Sequence, residues 1–311
     1  MKYFFFVLLF FLQLHAQITA YKITPDNTLH VTKQKLKILD AKILHFETKK
    51  GIPFHEISDL VYEDGFVYFV SDQGYLYKFL INITDGKITD LQYLDAYFLK
   101  NKKGKQLKKK KRDAEGLALC KNNLLISFER KQRICLYSKN GIKIKKVKLH
   151  QDLQNKDKYA SKNKGLESVT CNDRYGVVTA PELPLKNANV KYHTLYTKNQ
   201  IFKFSAEGSI VSLEFFSENT VLVLLRDFSY LTRRRVTTLM KVYLDRCRAS
   251  RVCKSEVLAR LDSSNGWKLD NFEGLTHVDT NRYLMVSDDN ENMLQKTLLV
   301  LFEIKDTFKK P

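Results

Sequence analysis

At 311 residues with 44% apolar side chains, the chain can build one large core or two smaller ones, and all-β barrels and propellers use this length as a single unit. Lysine and arginine outnumber aspartate and glutamate by 53 to 34, a net charge of +19, yet no nucleic-acid motif stands beside that charge, so the expected partner is not nucleic acid. No G-x-S-x-G elbow, HExxH helix, Walker loop or dinucleotide fingerprint occurs, which excludes the common serine-hydrolase, zinc-protease and nucleotide-binding readings.

Lys2 precedes an apolar run over 4–14 that is short for a bilayer span, and Ala16 or Ala20 supplies a small residue for cleavage. Residues 1–20 are therefore expected to be an export signal, with an uncleaved anchor as the alternative. Residues 21–311 are expected to form a single domain, monomeric and periplasmic or secreted. No later stretch reaches the roughly 18 apolar residues of a transmembrane helix, so no span is expected once the signal is removed. Next, residues 36–44 alternate apolar and polar and read as a strand with no obvious neighbour.

From residue 54 onward, period-2 alternation punctuated by turn residues predicts strands almost throughout. The first repeat covers 54–59, 65–72 and 75–79, with Glu63-Asp64-Gly65 as a hairpin turn whose Asp-Gly supplies the positive φ. A lysine-rich segment follows at 100–112, with nine basic residues in thirteen. It reads as a solvated loop, or as a patch for a phosphorylated substrate, an anionic polymer or a membrane surface. The second repeat has strands at 116–119, 124–128 and 134–137. The third starts at Leu166 and includes 176–179 and 200–204. The fourth (210–214, 221–227, 238–244) ends its second strand in Arg226 rather than an acid.

The last repeat starts near Phe272 and closes with 296–304, one strand short. The strand at 36–44 is the candidate to complete it, which would close the ring and hide two sheet edges. Anchor acids recur every 50 to 60 residues or so, a kelch-like blade length. The expectation is an all-β propeller of five or six blades, closed by the N-terminal strand, with 190–210 or 250–262 as sources of a sixth blade. Cys247 and Cys253 are close enough in sequence to staple a loop in an oxidising space. Cys120 and Cys171 end comparable strands in consecutive repeats and are candidates to face each other. Cys135 is then the odd one, read as a buried thiol.

Three repeats write the same pair of phrases. Ala114-Glu115-Gly116-Leu117 leads to Ser127-Phe128-Glu129, Gly165-Leu166-Glu167 to Pro181-Glu182, and Phe272-Glu273-Gly274-Leu275 to Ser287-Asp288-Asp289-Asn290. In a propeller the innermost strands line the channel, so Asp59, Glu115, Glu167, Glu214 and Glu273 are expected to converge at one mouth. Asp72, Glu129, Glu182 and Asp288 end the next strands and are expected at or near a rim. Converging like charges require an answer. Arg112, Arg130 and Arg226 are nearest by repeat position, a hard cation such as calcium wants oxygen ligands, and some acids can stay protonated as general acids do. The competing reading is structural, each acid binding backbone amides of the next blade.

Together these motifs resemble the phytase-like propeller family, labelled "esterase-like activity of phytase", over roughly residues 50–305. Ser58-Asp59-Leu60 with Ser71-Asp72 looks like its opening repeat, and Leu224-Leu225-Arg226-Asp227 like its fourth-blade strand. The resemblance implies an exported propeller that hydrolyses phosphate or carboxylic esters with metal assistance. On that basis Glu115, Glu273 and Asp288 are the expected catalytic residues, and Arg112, Arg130 and Arg226 the substrate contacts. Glu167, Glu273, Asp288 and Asp289 are the expected calcium ligands, for a small-molecule ester or anionic ligand. The alternative is a non-enzymatic propeller that binds an envelope or extracellular ligand or a protein partner. A phosphate-gripping Lys/Arg pattern does not match position by position.

Overall fold

A computed structural model describes residues 17–305, apart from 162, 187, 291, 293 and 294. The apolar run 4–14, Lys2 and Glu291 lie outside the described residues. The chain begins with strands β1 (Ile18–Ala20) and β2 (Leu36–Leu44), with a four-residue helix, Leu29–Thr32, between them. Blade 1 is β3 (Ile57–Glu63), β4 (Phe66–Ser71), β5 (Tyr75–Thr84) and β6 (Lys87–Phe98). Blade 2 is β7 (Ala114–Cys120), β8 (Asn123–Phe128), β9 (Arg133–Tyr137) and β10 (Lys143–Lys146). Blade 3 is β11 (Leu166–Asn172), β12 (Gly176–Pro181), β13 (His193–Tyr196) and β14 (Ile201–Phe204). Blade 4 is β15 (Ser209–Ser217), β16 (Thr220–Phe228), β17 (Arg235–Cys247) and β18 (Cys253–Asp262). Blade 5 takes β19 (Asn271–Asp279), β20 (Arg282–Asp288) and β21 (Leu298–Ile304) from the end of the described chain.

Each blade is an antiparallel sheet, and blade 5 runs in the order β1-β2-β21-β20-β19. β2 pairs with β21 from Leu36 opposite Ile304 to Ile43 opposite Leu298, and β1 pairs with β2. Ile18–Ala20 therefore belongs to a sheet, although it falls inside the stretch read as an export signal. The innermost strands β3, β7, β11, β15 and β19 touch in a ring, each against the next and β19 against β3. Five apolar clusters fill the spaces between successive blades. Because each blade is covered on both faces, middle strands are apolar throughout, as in Leu298-Leu299-Val300-Leu301-Phe302.

The blade count is five. The stretches 190–210 and 250–262, allowed for a sixth blade, instead supply β13 and β14 of blade 3 and β18 of blade 4. Outer strands look irregular in sequence because their rims face water: β10 reads Lys-Ile-Lys-Lys with three exposed side chains. The hairpin at Asp64-Gly65 has positive φ at both residues, 47° and 84°, as its Asp-Gly requires. Cys120 is bonded to Cys171 and Cys247 to Cys253, while Cys135 is a buried thiol. Among the described residues no helix is long and apolar enough to cross a membrane.

Candidate functional site

The Glu-Gly-Leu phrase acquires a physical meaning from the strand register. Every inner strand carries one extra residue relative to its neighbour near its start. These residues are Ser58, Glu115, Glu167, Val211 and Glu273. Such a bulge re-aims a side chain out of the alternation, and here it presents three glutamates to the same end of the channel. The following position is Asp59, Gly116, Ser168, Ser212 and Gly274 in the five blades. These sites lie where inner strands crowd the axis. A Cβ on Gly116 would come within 2.7 Å of the Glu167 carbonyl oxygen, and one on Gly274 within 2.8 Å of Asp59 Oδ1.

Asp59 fills the space those small residues leave. Its carboxylate accepts the backbone N–H of Leu60 (2.8 Å), Leu117 (2.7 Å) and Leu275 (3.2 Å), and the Ser212 hydroxyl (3.3 Å). It therefore ties blades 1, 2, 4 and 5 together, and burial holds its pKa well above the carboxylate range despite those donors. Glu214 lies two positions further along its inner strand, accepting the N–H of Phe215 (2.9 Å) and His277 (3.4 Å), with its pKa raised to about 7 by burial. The register corrects the expected ring: Asp59 and Glu214 stand one and three positions below Glu115, Glu167 and Glu273. Both carry out the structural role of binding neighbouring backbone.

The second strands supply the rim. Beyond Ser71, Phe128, Pro181, Leu225 and Ser287, which pair opposite the inner-strand starts, come Asp72, Glu129, Glu182, Arg226 and Asp288. Four blades place a carboxylate there and one a guanidinium. Arg226 is ion-paired with Glu273 and lies 3.9 Å from Glu182, which also takes Lys164 at 2.6 Å. Asn271 donates to Glu273 at 2.7 Å. Asp113, Glu115 and Glu129 place one oxygen each within 4.8 Å of one another, and so do Glu129, Glu167 and Glu182. Glu129 belongs to both triads.

Their proton affinities record the crowding. Burial first, then neighbouring carboxylates, raises Glu115 and Glu167 well above the usual range. Burial raises Glu129 to about 7, helped by Asp113 and Glu182. It raises Asp72 to about 7 beside Glu56, and Asp288 to about 9 beside Glu273. Glu273 is also raised by burial, with Arg226 pulling the other way. Such a mouth takes up either protons or a cation. Its donors are all carboxylate oxygens, with no histidine or cysteine in either triad, which fits a hard cation such as calcium and not zinc or copper.

The residues singled out in the sequence distribute unevenly. Glu115, Glu167, Glu273, Asp288 and Arg226 reach the mouth. Asp288 falls in neither triad and accepts the N–H of Asn290 at 3.0 Å. Asp289 turns toward blade 1, accepting the Glu56 N–H at 3.1 Å and the Thr297 hydroxyl at 3.1 Å. Arg112 donates to the Leu107 carbonyl at 2.9 Å, and Arg130 is an exposed residue above Asp113, with Nε 3.4 Å from its carboxylate. Sequence reasoning missed Lys164, and it missed the link of Asp113 to the inner glutamates. The signal was present in position alone, since each directly precedes a repeat start.

A cavity of ≈ 410 Å³ opens beside the rim, lined by Lys164, Glu182, Arg226, Glu273 and Asn271 with Phe228 and Tyr230 on one wall. It adjoins the triad of Glu129, Glu167 and Glu182 through Glu182. An entering anion would meet Arg226 and Lys164 there, and carboxylates behind them.

Residues 52–291 match the phytase-like family, described as "esterase-like activity of phytase". No curated protein matches the sequence. Among solved structures, Myxococcus xanthus glutaminyl cyclase is similar with a TM-score of 0.45 and 12% identity, over 86% of this chain and 97% of that one. A chain of the mitotic checkpoint complex is similar at 0.40 and 9%, over 88% and 69%. Saccharomyces cerevisiae Sqt1 is similar at 0.38 and 11%, over 86% and 79%. At these values the likeness carries no argument about this chain.

Proposed function

We propose, since the chain belongs to the phytase-like family, that the acidic mouth hydrolyses phosphate or carboxylic esters with the help of a hard divalent cation, calcium being the best fit to the donors. The observation that carries this reading is the pair of carboxylate triads sharing Glu129. Glu129, Glu167 and Glu182 would hold the ion, with Asp113 and Glu115 as the adjoining set. When bound, it would supply charge neutralisation and an activated water.

The chain's own residues do the remaining work. Arg226 and Lys164 line the cavity and orient the anionic end of the ester, each tied to a carboxylate that fixes its direction. Asp288, whose pKa burial raises to about 9, would give a proton to a leaving oxygen. Glu273 positions Arg226, and Glu115 adds negative field from the adjoining triad. Below the mouth the buried Asp59 joins four of the five blades and so fixes the inner strands that carry these glutamates.

The test is turnover of p-nitrophenyl phosphate, p-nitrophenyl acetate and phytate with and without calcium. Calcium-dependent hydrolysis that falls at least a hundredfold in Glu129→Gln is expected. Full activity in Glu129→Gln, or none on any ester with the wild type, would overturn the reading in favour of a binding propeller. Export to an oxidising compartment belongs to the same proposal, motivated by the two disulfides; recovery of the four cysteines as free thiols from intact cells would contradict it.

A further inference from the structure

The turns that join second to third strands emerge at the mouth end of the blades, because the second strands finish there. In blades 2, 3 and 4 these turns span 129–132, 182–192 and 229–234, and they contain six basic residues against two acids, Glu129 and Glu182, both of them buried. The basic residues are Arg130, Lys131, Lys186, Lys191, Arg233 and Arg234, all exposed. The same turns hold the three most exposed large apolar side chains among the described residues: Leu231 at 94%, Tyr230 at 85% and Val190 at 82%. The next, Leu29, is 64% exposed. Of the carboxylates at the bases of these three turns, Glu129 and Glu182 are buried and Asp227 is exposed, so the turns themselves project cationic side chains with apolar tips.

We infer that this face docks on an anionic lipid bilayer, with Tyr230-Leu231 and Val190 entering the interface and the flanking arginines and lysines against the headgroups. Charge alone would suit any polyanion, since lysine and arginine near an anionic surface are attracted whatever carries the charge. The apolar tips decide between them. Leucine and valine gain nothing from a hydrated polysaccharide, whereas aliphatic and aromatic side chains beside basic ones are what an interfacial anchor requires.

The blade 4 turn is also pre-shaped. Ser229 N–H bonds the Arg234 carbonyl at 3.0 Å, Tyr230 packs edge-on against Phe228 with centroids 4.9 Å apart, and Arg234 is held by Asp262. These contacts hold the base of the turn and so lower the ordering cost at binding. Docking does not depend on hydrolysis, though Tyr230 also walls the cavity beside Arg226, so a docked molecule would face its cavity toward the lipid headgroups.

The experiment uses the full chain and two kinds of vesicle, phosphatidylcholine alone and phosphatidylcholine with about a third phosphatidylglycerol. In Leu231→Trp, the added indole reports the tip, while Trp267 is 2% exposed and gives a constant background. Expected are a blue shift and quenching by brominated acyl chains with anionic vesicles only, weakened by salt. Tyr230→Ser with Leu231→Ser should lower vesicle partition about tenfold or more with unchanged thermal unfolding, any contribution from residues 1–16 being common to both proteins. A water-like indole on anionic vesicles, or partition equal in wild type and double variant, overturns the inference. So does retention on heparin without vesicle association, which would assign the face to a soluble polyanion.

Discussion

A carboxylate with three backbone N–H donors in a dry site behaves as a rivet, and Asp59 is in that position. Its neighbours Leu117 and Leu275 lie on inner strands of two other blades, and no water-exposed route serves those amides. Asp59→Ala removes the acceptor from both, and a buried donor left unmade costs about 1–3 kcal/mol. The expected loss in urea unfolding is therefore about 3 kcal/mol or more, with Asp59→Asn losing less because one oxygen remains. A loss under about 1 kcal/mol for the alanine variant would show that the amides find other partners. Glu115 is one position earlier in its repeat, yet the bulge turns it to the mouth. Residue type alone does not separate these two acids.

Among elements, the inner and middle strands were legible in the sequence, since both faces are buried and the apolar runs are long. Of the outer strands, β2 and β14 were legible as well, whereas β6, β10 and β18 were not. Lys143–Lys146 and the rim of Cys253–Asp262 answer to solvent on one edge, which erases the alternation. The candidate site was half legible. Repeats announced Glu115, Glu167 and Glu273, but which acids share space depends on a one-residue bulge that no composition or spacing displays. The cysteines were legible by repeat position: Cys120 and Cys171 join the ends of β7 and β11 far from the mouth. That bond closes a loop with a sequence separation of 51, and its loss should cost about 4 kcal/mol by loop entropy. Unfolding of the Cys120→Ser, Cys171→Ser protein checks this. A difference below about 1 kcal/mol would mean that blades 2 and 3 are held by packing alone.

At the scale of the whole molecule, the mouth makes stability depend on pH in an unusual direction. Carboxyl groups in the unfolded chain titrate near pH 4, whereas Asp72, Glu129 and Glu214 titrate at about 7 and Asp288 at about 9 in the fold. The folded state holds more protons over that window, so the stability these groups contribute is complete below about pH 4 and is lost as pH rises through 7 to 9. A cation that replaces those protons should therefore stabilise most where the protons have left.

Thermal unfolding at pH 8 with and without calcium, in wild type and in Glu129→Gln, brings these threads to one number. At a calcium concentration near a hundred times Kd, the wild type should gain about 5 °C or more, and the gain should shrink toward pH 5 as protons compete. Glu129→Gln, which takes the charge from the residue common to both triads, should gain almost nothing. An equal gain in both proteins, or no gain in the wild type at pH 8, would contradict a cation held at the mouth of this propeller.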